Sequence, residues 1–157
     1  MEHREEQRLV RKFFAQHPLV TVSTLSSSGI PEHSAMYLYM DGIMDCYIAT
    51  RETTRKYENI KNNNVVVIST HDEDVLMFAE LQCEAEIVED AGTIADILPK
   101  LQEVVFARKP GYWIPPVAQL EGEHFVFIRC TPKKVTFVNY DDTGTLYAEP
   151  HRITFEM

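Results

Sequence analysis

Within seven positions, Thr50-Arg51-Glu52-Thr53-Thr54-Arg55-Lys56, the chain gathers three threonines and three cations where an apolar run, Tyr47-Ile48-Ala49, gives way to a polar helix-forming one. The first residues of a helix carry backbone N–H groups with no intrahelical acceptor, and the helix dipole is positive at that end, so such a start attracts anions. Thr53 and Thr54 add hydroxyl donors, and Arg51, Arg55 and Lys56 add charge. Arginine can grip a phosphate through two parallel hydrogen bonds. The chemistry described is a pocket for a phosphomonoester. The same residues also suit an ordinary threonine N-cap followed by solvated cations. No Gly-x-x-x-x-Gly-Lys loop and no Gly-x-Gly-x-x-Gly turn occurs, so the P-loop and Rossmann forms of phosphate recognition lack their motif.

Other chemistry-bearing residues form no comparable group. The histidines at 3, 17, 33, 71, 124 and 151 contain no His-x-x-x-His pair, so surface or hydrogen-bonded roles are expected rather than a metal site. His33, in the run predicted as the second strand, either borders a ligand cleft or sits on a rim. His71-Asp72-Glu73-Asp74 lacks the ligand alternation and glycine bend of a calcium loop and reads as a solvated turn. Cys46, Cys83 and Cys130 are odd in number and widely spaced, which predicts reduced, buried thiols. Tyr112 and Trp113, between Pro110-Gly111 and Pro115-Pro116, either cover a ligand or a subunit seam or plug the end of the fold. No Ser-His-Asp or Cys-His arrangement is defined by spacing, and no catalytic side chain is assigned.

The elements that must position the threonine and cation turn follow from periodicity. Residues 2–16 place Leu9, Val10, Phe13 and Phe14 on one helical face, and His17-Pro18 ends that helix. Strands are predicted at 19–25, 30–40 and 43–50, with Ser26-Ser27-Ser28-Gly29 as a turn and Asp41-Gly42 as a hairpin signal in which both residues tolerate positive φ. Residues 51–63 are helix-forming and polar, 65–70 a β-branched strand, and 75–89 a long strand that bends through a bulge. A second helix starts at Thr93, with Thr93 and Asp96 placed for a capping box, and breaks or kinks at Pro99. Residues 109–116 form a loop. Residues 124–130 and 134–140 are two strands separated at Thr131-Pro132, and 146–155 is weakly strand-like. Many strands joined by short turns argue for a barrel, because closure removes exposed edges.

At 157 residues, with 45% hydrophobic composition, one domain spanning 1–157 can bury a single core. The net charge of −9 and the absence of any long basic run argue against nucleic acid or an anionic membrane as partner. No apolar stretch approaches the ~20 residues of a membrane span, and the charged N-terminal residues do not read as an export signal. With the cysteine usage, this leads to the expectation of a cytoplasmic protein.

The order of 19–25, Gly29-Ile30-Pro31, 34–40, Asp41-Gly42, Tyr47-Ile48-Ala49-Thr50, Thr54-Arg55-Lys56, Asn59-Ile60, Asn63 and 65–68 resembles the pyridoxamine 5′-phosphate oxidase-like FMN-binding split-barrel superfamily. The resemblance covers about residues 19–88 well and the remainder loosely. It implies a mainly β fold with flanking helices, a split β-barrel of six to seven mostly antiparallel strands, and a homodimer with FMN in a cleft between subunits. It further implies that Thr54, Arg55 and Lys56 hold the phosphate, beside Ala49 and Thr50. Ser34, Ala35, Met36 and Tyr37 would line the ribityl chain and ring. The chain departs from the phosphate-oxidase enzymes in several places. His33 or Ser34 stands where they open the second strand with arginine, Phe78 stands near their flavin-contacting glutamine with Gln82 displaced, and Asn64 replaces a proline. Residues 133–142 carry no match to their Arg-and-His substrate motif. The implied activity is therefore that of the short, general flavin-binding branch: electrons pass from a reduced nicotinamide through FMN to a small-molecule acceptor. The alternatives are a non-catalytic module for flavin, haem or a deazaflavin, and a ligand-free dimeric interaction protein.

Overall fold

The computed structural model describes residues 3–108, 125–140 and 151–157. Tyr112, Trp113, the loop at 109–116, His124 and the first part of the strand expected at 146–155 lie outside the described residues. Helix α1 (Arg4–Gln16) buries Val10, Phe13 and Phe14 along one stripe, as the 3–4 spacing requires. It is followed by β1 (Leu19–Leu25), β2 (Pro31–Tyr37), β3 (Tyr39–Met40), β4 (Cys46–Arg51), α2 (Arg55–Asn62), β5 (Val65–Asp72), β6 (Met77–Val88), α3 (Ala91–Arg108), β7 (Phe125–Asn139) and β8 (His151–Glu156).

All strand pairings are antiparallel, in one sheet of order β2-β1-β5-β6-β7-β4-β3, with β8 added on β7. Strands β2 and β3 stand at opposite ends of that order, yet only Leu38 separates them along the chain. The sheet must therefore curl until its two ends meet. Leu38 is buried, and its N–H donates to the Pro18 carbonyl at 3.0 Å, which pins the crossing point. The result is a split barrel, closed by the chain itself at Leu38 and open between β2 and β4. Among the described residues the sheet holds seven strands and the two-residue β3, in keeping with the expected split barrel of mostly antiparallel strands; the run predicted at 30–40 is divided at this crossing.

Val20, Val22, Ile48, Val66, Ile68, Leu81, Ile128 and Val135 fill the barrel interior, and α1 adds Val10, Phe13 and Phe14 to the same core. Helix α3 covers the outer side of β4 and β7, packing Ile97, Leu101 and Val105 on Tyr47, Val88 and Phe127.

Four local expectations are corrected. The β3–β4 turn does not place Asp41-Gly42 at positive φ; the left-handed residue is Met44, at φ 72°, with its side chain fully buried. Asp41 holds this loop by accepting from the N–H groups of Ile43 and Asp45 at 2.9 and 3.0 Å. Helix α3 is opened by Asp90, whose carboxylate accepts from the Thr93 N–H at 2.8 Å and from its hydroxyl at 2.7 Å; a residue earlier in the chain supplies the oxygen assigned to Thr93. Pro99 does not divide α3 into two short helices, because the apolar face of Ile97, Leu101 and Val105 outweighs one missing backbone bond. The strands expected on either side of Thr131-Pro132 are one strand, β7. Its partner β6 shifts register between Gln82 and Cys83, opposite Lys134 and Pro132, so the bulge leaves Lys133 unmatched where proline has no N–H to offer. The bulge expected within 75–89 thus falls on the β7 side of the pair, at Lys133.

Candidate functional site

The residues singled out by sequence lie along the two lips of the split. On one lip, β2 pairs in register with β1: Thr24 with Glu32, Val22 with Ser34, Thr21 with Ala35, Val20 with Met36 and Leu19 with Tyr37. Val20, Val22 and Thr24 are buried, so Glu32, Ser34 and Met36 turn to the barrel interior and Ala35 and Tyr37 turn outward. Met36 packs on the main core, and Tyr37 on the cluster beneath α3. The four β2 residues therefore do not present side chains to one surface; what they share is a backbone edge. Among the described residues β2 pairs with β1 alone, which leaves its other edge of N–H and C=O groups facing the split.

The other lip is the end of β4 and the start of α2. Ala49 packs with the α3 cluster, and Thr50 is buried. Thr54 is the N-cap of α2: its Oγ1 accepts from the Tyr57 N–H at 3.3 Å and donates to the Arg51 carbonyl at 3.0 Å. The N–H groups of Arg55 and Lys56, in the first turn, have no intrahelical acceptor. Lys56 is half-buried, and burial pushes its ammonium pKa below the usual lysine value. Among the described residues no carboxylate pairs with it. A desolvated cation beside free N–H groups is the physical form of an anion site. Arg51 instead lays its guanidinium over the Phe125 ring, 5.6 Å from the centroid.

Two residues that sequence reasoning gave no role bridge the lips. Glu32 Oε2 accepts from Arg55 Nη1 at 2.9 Å, and Glu32 Oε1 accepts from Asn59 Nδ2 at 3.0 Å. Asn59 Nδ2 also donates to Thr24 Oγ1 at 3.0 Å, and both of these residues are buried. The two hydrogen bonds hold the Glu32 carboxyl below the usual carboxylate range, the Asn59 contact contributing most and the Arg55 contact next. The split is thus bounded at one end by Leu38 and at the other by Glu32, Asn59 and Arg55. Asn59 carried a signal, as a polar residue beside Ile60 on a short helix; Glu32 carried none.

His33 points outward, its Nδ1 at 2.6 Å from the Ser23 hydroxyl. Asp72 of the acidic cluster pairs with His17 at 3.1 Å and caps its own turn through the N–H groups of Asp74 and Val75. Among the described residues no group of three His, Cys, Asp or Glu side chains could hold a metal ion. The three cysteines are buried, and burial raises the pKa of each, that of Cys130 to about 12. A cleft of about 420 Å³ lies on the outer face, lined by His17, Leu19, Thr21, Tyr37, His71 and Arg108 among others. It shares only Tyr37 with the residues expected from sequence, at the end of β2 remote from Lys56. Lys56 and the free N–H groups at the start of α2 lie away from this cleft, at the opposite end of β2.

Residues 7–139 match the pyridoxamine 5′-phosphate oxidase family. This chain belongs to that family. No curated protein matches it in sequence. Among solved structures of the same fold, the conserved hypothetical protein Rv2991 from Mycobacterium tuberculosis is 19% identical with a TM-score of 0.71, over 91% of this chain and 90% of that one. An F420 reductase is 28% identical with a TM-score of 0.61, over 79% of this chain and 94% of that one. HutZ, a haem storage protein from Vibrio cholerae, is 18% identical with a TM-score of 0.63, over 81% and 89%. The pyridoxamine 5′-phosphate oxidase fold therefore serves both a reductase and a haem protein, and the likeness to Rv2991 and HutZ speaks to architecture alone. Among the described residues, no helix of this family member is long and apolar enough to cross a membrane.

Proposed function

We propose that the chain binds FMN along the split between β2 and β4 and uses it as an oxidoreductase, passing electrons from a reduced nicotinamide to a small acceptor. The observation that carries this reading is Lys56, half-buried at the start of α2 and unmatched by a carboxylate among the described residues, beside the free N–H groups of Arg55 and Lys56. Those groups would hold the phosphate, with Thr54 keeping the turn in shape. The unpaired edge of β2 from Ser34 to Tyr37 offers backbone donors and acceptors to a polar ring edge. When bound, FMN supplies the electron and hydride chemistry, while the protein binds, orients and shields it.

The reading extends to a homodimer in the cytoplasm. The outward face of β1, β2 and β5 carries exposed Leu19, Thr21, Ala35 and Val65, a surface suited to a second copy. A second reading, favoured by the 28% identity to the F420 reductase, places that enzyme's cofactor in the same split.

The test is an absorbance spectrum of the purified protein with mass-spectrometric identification of any small molecule carried along, then titration with FMN. Bleaching by NADH or NADPH followed by reoxidation with an added acceptor supports the enzyme. Arg55→Ala with Lys56→Ala should weaken FMN binding by at least tenfold, since charge-assisted bonds contribute roughly 1.5–3 kcal/mol each. Unchanged affinity in that double variant would move the phosphate elsewhere.

A further inference from the structure

The bridge between Glu32 and Arg55 bears on which ligands the corner accepts. Arg55 is 86% exposed, whereas Glu32 is 29% exposed and is fixed by the buried Asn59 amide as well as by the arginine. The two partners are thus unequal: the guanidinium can swing into solvent at little cost, and the carboxylate cannot leave. Counting charge at the start of α2, Arg55 is balanced by Glu32, Glu58 pairs with Lys61 within the helix, and Lys56 is left as the cation without a described acidic partner. Thr24, facing Glu32 from β1, is uncharged and adds nothing to the balance.

We propose that Glu32 is a specificity-determining residue that weakens, without abolishing, the preference of this corner for a doubly charged phosphate. The inference rests on the reading of the split as a flavin site. A phosphomonoester dianion seated on the α2 N–H groups must draw Arg55 away from Glu32 or share it, and in either case brings its own charge toward a carboxylate held in place by Asn59. A ligand with the same ring and an uncharged end meets no such opposition. Glu32 therefore narrows the advantage of FMN over riboflavin below what Lys56, Arg55 and a helix start would otherwise give, and keeps FMN exchangeable.

The experiment is fluorescence titration of the full chain with FMN and, separately, with riboflavin at fixed pH and ionic strength, for the native protein and for Glu32→Gln. The variant should bind FMN on the order of tenfold more tightly, with riboflavin affinity unchanged, the size expected for one like-charge contact in a partly solvated site. Glu32→Ala, which removes the carboxylate without an amide in its place, should raise the same ratio. Folding of both is checked by circular dichroism. A ratio of FMN to riboflavin affinity that is equal in native protein and variants, or that falls, overturns the role of Glu32 while leaving the flavin site standing. Failure of all three proteins to bind either flavin overturns the underlying reading, and this proposal with it.

Discussion

The hydroxyls of Thr50 and Thr54 lie 3.1 Å apart, tying the last buried residue of β4 to the residue that caps α2. A hydroxyl has one proton to give, and that of Thr54 goes to the Arg51 carbonyl, so Thr50 donates to Thr54. The turn between strand and helix is therefore closed by its own side chains, and under the proposed reading the N–H groups of Arg55 and Lys56 would need no ordering when an anion docks.

From this arrangement, Thr54→Ala should lower stability by about 1 kcal/mol, the usual worth of a threonine cap. Thr54→Ser, which keeps the oxygen, should restore most of it. Thermal unfolding followed by circular dichroism measures both. Equal melting temperatures for the native protein and the alanine variant would show that the hydroxyl does not cap α2.

The Glu32 carboxyl predicts a pH dependence with a definite sign. Its pKa is depressed in the folded protein by the Asn59 hydrogen bond first and by Arg55 second. The folded state thus binds a proton less readily than the unfolded chain. The stabilisation is complete above the unfolded carboxylate range and is lost as the pH falls through the lower, folded value. Acid unfolding of Glu32→Gln should accordingly show a shallower loss of stability below about pH 4.5 than the native protein. Superimposable acid limbs would mean that Asn59 and Arg55 do not favour the charged form.

What the chain disclosed in advance, and what it withheld, divides by the distance over which residues act. Strand β1 occupies the predicted Leu19–Leu25 because alternation of Val20, Val22 and Thr24 is a local property. The threonine and cation turn was visible for the same reason. Local rules misplaced the left-handed residue at the β3–β4 turn, because burial of Met44 fixes the loop and outweighs the preference of Gly42 for positive φ. They split β7 at Pro132, because only the pairing with β6 shows that an extra residue, Lys133, absorbs the proline within one continuous strand. Glu32 was missed altogether: its partner Arg55 is 23 positions away, and nothing near Pro31 or His33 announces that β2 will lie against α2. The side-chain directions along β2 also depended on pairing with β1, which turns Ser34 and Met36 inward and Ala35 and Tyr37 outward.

The cysteines yield the last prediction. Cys46 and Cys130 are register partners on β4 and β7, and all three thiols sit in the barrel core with Val66, Leu81 and Ile128. Burial disfavours their thiolates: the Cys130 pKa is pushed up to about 12, and those of Cys46 and Cys83 are raised as well. Only the thiolate attacks a disulfide reagent, so the native protein at pH 8 should leave an aromatic disulfide probe unreacted over minutes, while the chain unfolded in guanidinium releases chromophore from every cysteine at once. Since folding raises these pKa values, the folded state holds its thiol protons more tightly. Its advantage is whole below the unfolded cysteine value and is lost as pH climbs from there toward about 12. Labelling in the native state should therefore follow the rate of opening of the barrel and accelerate as alkaline conditions weaken it. A cysteine that reacts in the native protein at neutral pH as fast as a free thiol would place it outside the core and break the assignment of β4 and β7 as neighbours with their thiols turned inward.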